Sequence, residues 1–274
     1  MRWDSVGYSS LACFAVGTKR LPPERATSLR TEAVGSRDLV LFANVADECV
    51  LSIPKIYAWW KHAASLLAHP ASAITHVAKV DDDSFLHVPN LEHHLHLMSC
   101  FPRLVYGTIA FSGYSPATYS KCAFSWGAKG PYKKYRCADR GFHPPVPFAT
   151  GPMQVLSSQL VSELAQFSAV STFCDRAEAL LDLGVWDKAE DTTLGFWLSN
   201  LPLQEAITFT HAEARKAHNL GCYKTQHLYR PPANGSVLIH FVKKPLGFQY
   251  IWRTLGGAGR PHDAAACAEM AGVA

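Results

Sequence analysis

The sequence predicts an α/β fold in which a mixed, mostly parallel sheet is flanked by helices. Short continuous apolar runs bounded by Gly, Pro or charged residues indicate strands. A helical segment separates the runs at 39–42 and 74–80, and acidic residues directly follow the second of these runs. The 274 residues, 48% of them hydrophobic, are enough for a sizeable core. We expect a single domain over residues 1–255 and a disordered tail rich in Gly and Ala over 256–274.

The first third of the chain predicts alternating strands and helices. Residues 11–16 and 39–42 are apolar runs typical of strands buried on both faces. Residues 52–67 place apolar side chains on one face of a helix, and the run ITHVAKV at 74–80 predicts the next strand. The order strand, helix, strand predicts a βαβ unit whose second strand ends beside three aspartates.

The rest of the chain is less regular. The remaining elements predicted from periodicity are a short helix at 91–98, a strand at 103–110, helices at 157–167 and 191–201, and a late strand at 236–242. Residues 112–150 are rich in Gly, Pro, Tyr and Lys without a sustained period, so they predict a long irregular segment.

Composition excludes several classes of function. The net charge of +4 is scattered along the chain, so we expect no nucleic-acid partner. The longest apolar stretch near the start, SLACFAVG, is far shorter than the roughly 18 residues of a membrane span, and we expect neither an anchor nor an export signal in this chain. Eight cysteines without a CxxC pair argue against zinc ribbons and thioredoxin chemistry, while disulfides and free buried thiols both remain open.

The most informative stretch is ITHVAKVDDDSFLHV, in which Asp81, Asp82 and Asp83 lie between two apolar runs. Alone, an acidic triplet is more often a solvated turn. Its position after a buried strand places it where open α/β sheets bind ligands, and crowded carboxylates there require a cation or hydrogen bonds. Oxygen ligands suit Mn²⁺ or Mg²⁺ with positions left for phosphate oxygens, so we expect a metal and a nucleotide diphosphate.

Two further stretches carry candidate chemistry. Glu190 and Asp191 precede an apolar helix, where they either complement the helix dipole or provide a general base. His240, in VLIHFVKKP, is either a satisfied core residue or a ligand for Mn²⁺.

Two more patterns have ordinary interpretations that we favour or leave open. The histidines of 92–96 have the spacing of zinc ligands, but the amphipathic pattern around them predicts a solvated helix face. Asn234-Gly235-Ser236 is either a glycosylation sequon or the turn of a hairpin.

Three motifs, taken in order, resemble glycosyltransferase family 31, the β-1,3-galactosyltransferase and N-acetylglucosaminyltransferase group related to Fringe. KVDDDSF (79–85) resembles the family's Lys-x-Asp-Asp-Asp-x-Phe, and EDTTLG (190–195) resembles its Glu-Asp-Val-x-x-Gly. VPFATGPMQVLS (146–157) resembles its Pro-Pro-Tyr-Cys-Ser-Gly-Gly-Gly-Tyr-Val-Leu-Ser. CFAVG (13–17) is similar to the family's strand before the nucleotide site. The resemblance implies a GT-A type, Rossmann-like fold.

The resemblance also implies a reaction: metal-dependent, inverting transfer of a Gal or GlcNAc type sugar from a UDP-hexose donor to a glycan or glycoprotein hydroxyl, forming a β-1,3 linkage. Asp83 and His240 would bind Mn²⁺ (or Mg²⁺), Asp81 and Asp82 would hold the ribose or a metal-bound water, and Asp191 would be the general base.

The donor side of the implied site draws on Lys55, Gly151 and Glu190, with Gly151 admitting the sugar close to the backbone. The family's first strand, its Ile-Arg-x-Thr-Trp motif and its Golgi membrane anchor are not matched, with Arg2-Trp3 as a remnant of the motif. We therefore expect either that the sequence is truncated or that the sheet has lost its first strand. An inactive sugar-nucleotide-binding relative and a metal-dependent phosphohydrolase are the alternatives.

Overall fold

The computed structural model describes residues 10–47, 52–115, 120–122, 145–182, 190–213, 215–220 and 232–255. Within these ranges the chain has a mixed α/β fold with seven helices and ten strands. It divides into two compact units of three segments each: 1–77, 110–148 and 157–206 form the first, and 78–109, 149–156 and 207–274 form the second. The prediction of one domain over 1–255 stays a prediction, and the expected tail at 256–274 lies outside the described residues.

The first unit begins with a βαβ unit. Strands β1 (Phe14–Gly17) and β2 (Leu39–Phe42) pair in parallel from Phe14↔Leu39 to Gly17↔Phe42, and helix α1 (Pro23–Ser36) connects them. Most residues of both strands remain partly exposed, so the prediction that they are buried on both faces is wrong. The reason is that no third strand joins this pair within the described residues. Any first strand formed by residues 1–9 would lie outside them.

Four helices form the apolar part of the first unit. They are α2 (Ser52–Leu67), α4 (Ser158–Gln166), α5 (Ser168–Asp182) and α6 (Glu190–Ser199), and α2 contacts the other three. Ile53 and Trp60 of α2 are fully buried, and the rings of Tyr57 and Trp197 pack edge-on with their centroids 5.7 Å apart. The apolar faces predicted for α2, α4 and α6 are therefore confirmed. Helix α1 was not predicted, because it buries only Ala26 and its apolar residues do not recur at helical spacing.

The largest sheet runs through the middle of the sequence. Its strands are β3 (His76–Val80), β5 (Leu104–Ser115), β6 (Ser120–Cys122), β7 (Val146–Ser157) and β8 (Thr208–His211). Their order is β3-β7-β5-β6, with β8 also pairing with β5. Because β3 neighbours β7 in this sheet while β2 pairs with β1, the predicted βαβ unit joining β2 to β3 is wrong.

The prediction of an irregular segment over 112–150 is wrong at both of its ends. Strand β5 continues to Ser115 and β7 already begins at Val146. Strand β7 lies between β3 and β5, so its backbone is hydrogen-bonded on both sides. This pairing does not require its side chains to alternate between apolar and polar. Residues 116–119 and 123–144 lie outside the described ranges.

The second unit adds a small mixed sheet and two helices. Its sheet has the order β4-β10-β9, formed by β4 (Phe85–Leu86), β10 (Leu238–His240) and β9 (Ala217–Asn219). The helices are α3 (Val88–Leu97) and α7 (Pro245–Leu255). Leu104, Tyr106, Met153 and Leu238 belong to one buried cluster, and Ile239 belongs to another together with Ile251 of α7.

The Asn234-Gly235 stretch forms a turn but no hairpin. The Ser236 N–H donates to the Ala233 carbonyl at 2.8 Å, which closes a β-turn. Strand β10 runs parallel to β9 and antiparallel to the distant β4, so the hairpin interpretation is wrong.

Two further expectations concern the cysteines and membrane-spanning segments, and the described residues cover only part of each. Cys13, Cys100 and Cys174 are free thiols, and the other five cysteines have no described side-chain surroundings. None of the helices in the described ranges combines the length and apolar character that a membrane-spanning segment needs.

Candidate metal centre

The three aspartates occupy a tight turn at the carboxyl end of β3. Strand β3 ends at Val80, and the Ser84 N–H donates to the Asp81 carbonyl at 3.0 Å, closing the turn that leads into β4. The Asp81 N–H donates to the Pro152 carbonyl at 3.2 Å, which anchors the start of the turn on β7. The predicted position of the triplet at a strand end is confirmed.

Strand register explains why His240 reaches these aspartates. Strands β4 and β10 are antiparallel, with Phe85 opposite Ile239, so the residue after Ile239 lies beside the residues before Phe85. The Val242 N–H then donates to the Asp83 carbonyl at 2.8 Å and extends this contact. The imidazole of His240 is thereby held at the turn by backbone pairing.

Asp81, Asp83 and His240 form a group that is able to hold a metal ion. One ligand atom from each side chain lies within 4.8 Å of the others. His240 Nε2 lies 3.3 Å from Asp83 Oδ1 and 3.7 Å from Asp81 Oδ2. Two carboxylate oxygens and one imidazole nitrogen are acceptable ligands for Mn²⁺, and the oxygens also suit Mg²⁺. The donor set fits the implied cation.

Two lysines already compensate the carboxylates. Lys79 pairs with Asp81 Oδ1 and also donates to the Gly151 carbonyl at 2.6 Å. Lys243 pairs with Asp83 Oδ2, and its ammonium lies 4.4 Å from the centre of the Phe241 ring. These ion pairs offset the repulsion between the two carboxylates.

Burial and the neighbouring carboxylates act on the pKa of His240 in opposite directions. Burial lowers the pKa of its imidazole, although the charges of Asp83 and Asp81 act in the opposite direction. The neutral form keeps a lone pair for a cation. Its Nδ1 atom is buried and has no hydrogen-bond partner among the described residues, so the ring is oriented by its Nε2 contacts and by packing.

Asp82 differs from its two neighbours. Its side chain is exposed at the tip of the turn and does not belong to the Asp81, Asp83 and His240 group. The structure therefore brings together two of the three aspartates with His240. The role in holding a ribose or a metal-bound water that the resemblance implies for Asp82 stays a prediction.

Sequence reasoning missed Lys243. The residue stands three positions after His240 in VLIHFVKKP, a stretch that drew attention only for its histidine. Nothing in the local pattern distinguishes Lys243 from Lys244, since both are surface cations within two residues of Pro245. The signal appears only when the register of β4 and β10 is known.

The acidic pair 190–191 belongs to the first unit and begins helix α6. Asp191 Oδ1 accepts hydrogen bonds from the Thr192 N–H at 2.7 Å and from the Thr192 hydroxyl at 3.2 Å. A carboxylate there also complements the positive end of the helix dipole. These contacts support the structural interpretation of Asp191 and leave its proposed role as a base a prediction, as they do the role of Glu190.

Lys55, also in the first unit, forms an ion pair with Asp47, which the sequence analysis did not select. Lys55 Nζ lies 2.6 Å from Asp47 Oδ1, and Asp47 Oδ2 accepts the Gly17 N–H at 3.1 Å. Gly17 is packed so closely that an added Cβ would lie 2.5 Å from the Val45 carbonyl oxygen. Asp47 therefore ties the end of β1 to α2, and the implied donor-binding role of Lys55 stays a prediction.

The histidines of α3 are not a second metal site among the described residues. Only the group of Asp81, Asp83 and His240 has metal-site geometry there. His93 and His96 are exposed as predicted, but His94 is half-buried and its Nδ1 lies 2.9 Å from the Tyr106 hydroxyl. The solvated-face prediction is thus wrong for His94, because the helix turns this side chain toward β5.

Comparison with known proteins adds no relatives. No model of a known protein family matches the chain, and a search of curated proteins returns no match.

Proposed function

We propose that this protein is a metal-dependent glycosyltransferase of GT-A type that moves a hexose from a UDP-sugar to a hydroxyl of a glycan acceptor. The observation that carries the proposal is the group of Asp81, Asp83 and His240, whose ligand atoms converge from residues about 160 positions apart. The acidic motif and the late histidine are separate elements of the resemblance. Their ligand atoms converge on one point, as a metal site requires. The position of the aspartates directly after β3 supports a ligand site at that strand end.

The roles of the chain's own residues follow from their chemistry. Asp81, Asp83 and His240 would hold Mn²⁺ or Mg²⁺, which when bound would neutralise charge on the departing diphosphate. Asp191 would accept the proton of the acceptor hydroxyl while that oxygen forms its bond to the anomeric carbon. The bond from the anomeric carbon to the diphosphate breaks on the opposite face, which inverts the configuration, and UDP leaves with the electron pair.

A phosphohydrolase is less well supported. Hydrolases that use clustered aspartates commonly hold two metals and need further carboxylates around the first group. Within the described residues, the group at β3 contains two carboxylates and one histidine, and no second group of this kind is present. The three side chains would hold one cation, and the further carboxylates that a two-metal hydrolase needs are not found beside them in the described ranges.

The decisive experiment is a donor panel. The full chain is incubated with UDP-Gal, UDP-GlcNAc, UDP-GalNAc and UDP-Glc in the presence of Mn²⁺ and then EDTA, and UDP release is measured. We expect release from one donor above the others and its loss on chelation. Release that EDTA leaves unchanged would contradict the metal site. Metal-dependent UDP binding without release from any donor would favour the inactive relative.

A further inference from the structure

The two lysines of the candidate metal centre hold their carboxylates in different ways. Lys79 lies within β3, its side chain is 16% exposed, and its ammonium is shared between Asp81 and the Gly151 carbonyl. Lys243 follows β10, its side chain is 47% exposed, and among the described residues it contacts Asp83 Oδ2 and the face of the Phe241 ring. Lys243 alone is able to withdraw into water without leaving a buried ammonium unpaired.

The segment 240–243 is built around Asp83. His240 Nε2 approaches Asp83 Oδ1 at 3.3 Å, the Val242 N–H donates to the Asp83 carbonyl at 2.8 Å, and Lys243 pairs with Oδ2. Between them, Phe241 has a φ of 72°, a left-handed conformation that is uncommon for an aromatic residue. The backbone that positions the histidine ligand therefore also brings the ammonium to the same carboxylate.

We propose that Lys243 is a tethered counter-ion that occupies Asp83 in the metal-free protein and leaves it when a divalent cation binds. The inference rests on the metal site of the proposed function and adds a competitor to it. A cation held by Asp81, Asp83 and His240 repels an ammonium in contact with one of its own ligands. Binding of the cation therefore includes the cost of separating Lys243 from Asp83, and the protein binds metal more weakly than its three ligands alone would.

The test compares Mn²⁺ affinity of the full chain and three variants, measured from the electron paramagnetic resonance signal of free Mn²⁺. Lys243→Met keeps an unbranched apolar side chain on Phe241 but removes the charge, and we expect binding tighter by roughly three- to tenfold. Lys243→Arg retains a competing cation beside Asp83, so we expect Mn²⁺ to bind it no more tightly than the wild type.

Lys244→Met is the matched control. Lys244 is the neighbouring exposed cation and makes no described contact with the carboxylates. Its replacement by Met changes the net charge of the protein by the same amount as Lys243→Met. We expect its effect on Mn²⁺ affinity to stay below about twofold, since solvent screens the separated charge. Equal tightening in Lys244→Met and Lys243→Met would overturn the inference, because a long-range charge effect would then account for both.

The remaining outcomes separate the inference from the proposed function. Wild-type binding of Mn²⁺ with no tightening in Lys243→Met overturns the counter-ion role and leaves the metal site standing. No binding by the wild type or by folded Lys243→Met overturns both. Thermal melting establishes that the variants fold, and Lys243→Gln replaces the Met variant if that one does not.

Discussion

The acidic turn at 81–83 and the acidic helix start at 190–191 look alike in the sequence and differ in the structure. Both are short acidic stretches beside apolar segments. The turn receives His240 and Lys243 from a strand end about 160 residues away, whereas Asp191 bonds to the adjacent Thr192 of its own helix. A metal site requires several donors that converge on one point, while a helix start requires only its first residues. This difference places the stronger case for cation chemistry at the turn.

The largest expected effect comes from Asp83→Ala. Removing this carboxylate takes away one metal ligand, and losing even an outer-sphere partner commonly costs 10–100-fold in metal affinity, so we expect a loss beyond about 100-fold. Metal-dependent UDP binding and UDP release should disappear together. Asp82→Ala removes the same charge from the exposed tip of the turn and should weaken Mn²⁺ binding much less. Equal losses in the two variants would contradict the selection of Asp83 as a ligand.

Asp191→Asn tests the other acidic stretch. The amide keeps an oxygen that accepts the Thr192 N–H but is unable to take a proton, so we expect turnover to fall by roughly 10²–10⁴-fold. UDP binding, measured by calorimetry, should remain, and so should stability. If turnover survives in Asp191→Asn, the carboxylate has only its structural role. Asp191→Ala would then still cost about 0.3–1 kcal/mol in urea unfolding.

Gly195→Ala tests how tightly the acidic helix is packed. An added Cβ would lie 2.5 Å from Phe148 Cβ and 2.6 Å from the Pro147 carbonyl oxygen, so backbone has to shift. We expect a loss of about 1–3 kcal/mol in the free energy of unfolding, measured in urea. Gly35→Ala in α1 is the matched control, because its Cβ meets nothing within 4 Å and should leave stability equal or slightly higher. Similar losses at both positions would contradict the packing argument.

The smallest expected effect is the pH dependence carried by His94. Burial, together with the charges of Lys216 and His93, lowers the pKa of its imidazole in the folded protein. The unfolded chain, with a pKa of about 6.5, takes up the proton first. The contribution of His94 to stability is therefore present above pH 6.5 and declines as the pH falls through the lower pKa of the folded state.

The measurement is urea unfolding of the metal-free chain at pH 7.5 and 5.5. His94→Gln keeps an acceptor for the Tyr106 hydroxyl and does not titrate, so stability should fall less on acidification than in the wild type. His96→Gln, at an exposed position of the same helix, is the control. An unchanged pH dependence in His94→Gln would show that other groups carry it.

Much of the architecture was predictable where amphipathic period and burial coincide. Helix α2 begins and ends where its apolar spacing predicts, because Ile53 and Trp60 recur on one face and both are fully buried. Strand β7 was missed because most of its residues are buried, so its side chains show no alternation. Helix α1 was missed for the opposite reason, since it lies largely exposed.

In both units, the sequence indicated candidate residues but not the residues that pair with them. Asp83 and His240 were selectable from their residue types and their positions at strand ends, whereas Lys243 and Asp47 were not. The two missed residues acquire significance only from contacts across 160 and 8 positions, to Asp83 and Lys55. The residues next to a surface lysine or aspartate do not indicate such a partner.

The sequence by itself determined the mixed α/β class, the apolar helices of the first unit and the acidic turn after β3, because period, burial and turn formation are set by neighbouring residues. Only the tertiary structure decided which acidic residues meet a histidine and which cation holds them. The antiparallel register of β4 and β10 makes that decision: it brings the segment after Ile239 alongside the residues before Phe85. Strand register depends on the packing of both strands in the folded protein, and no short stretch of sequence encodes it alone.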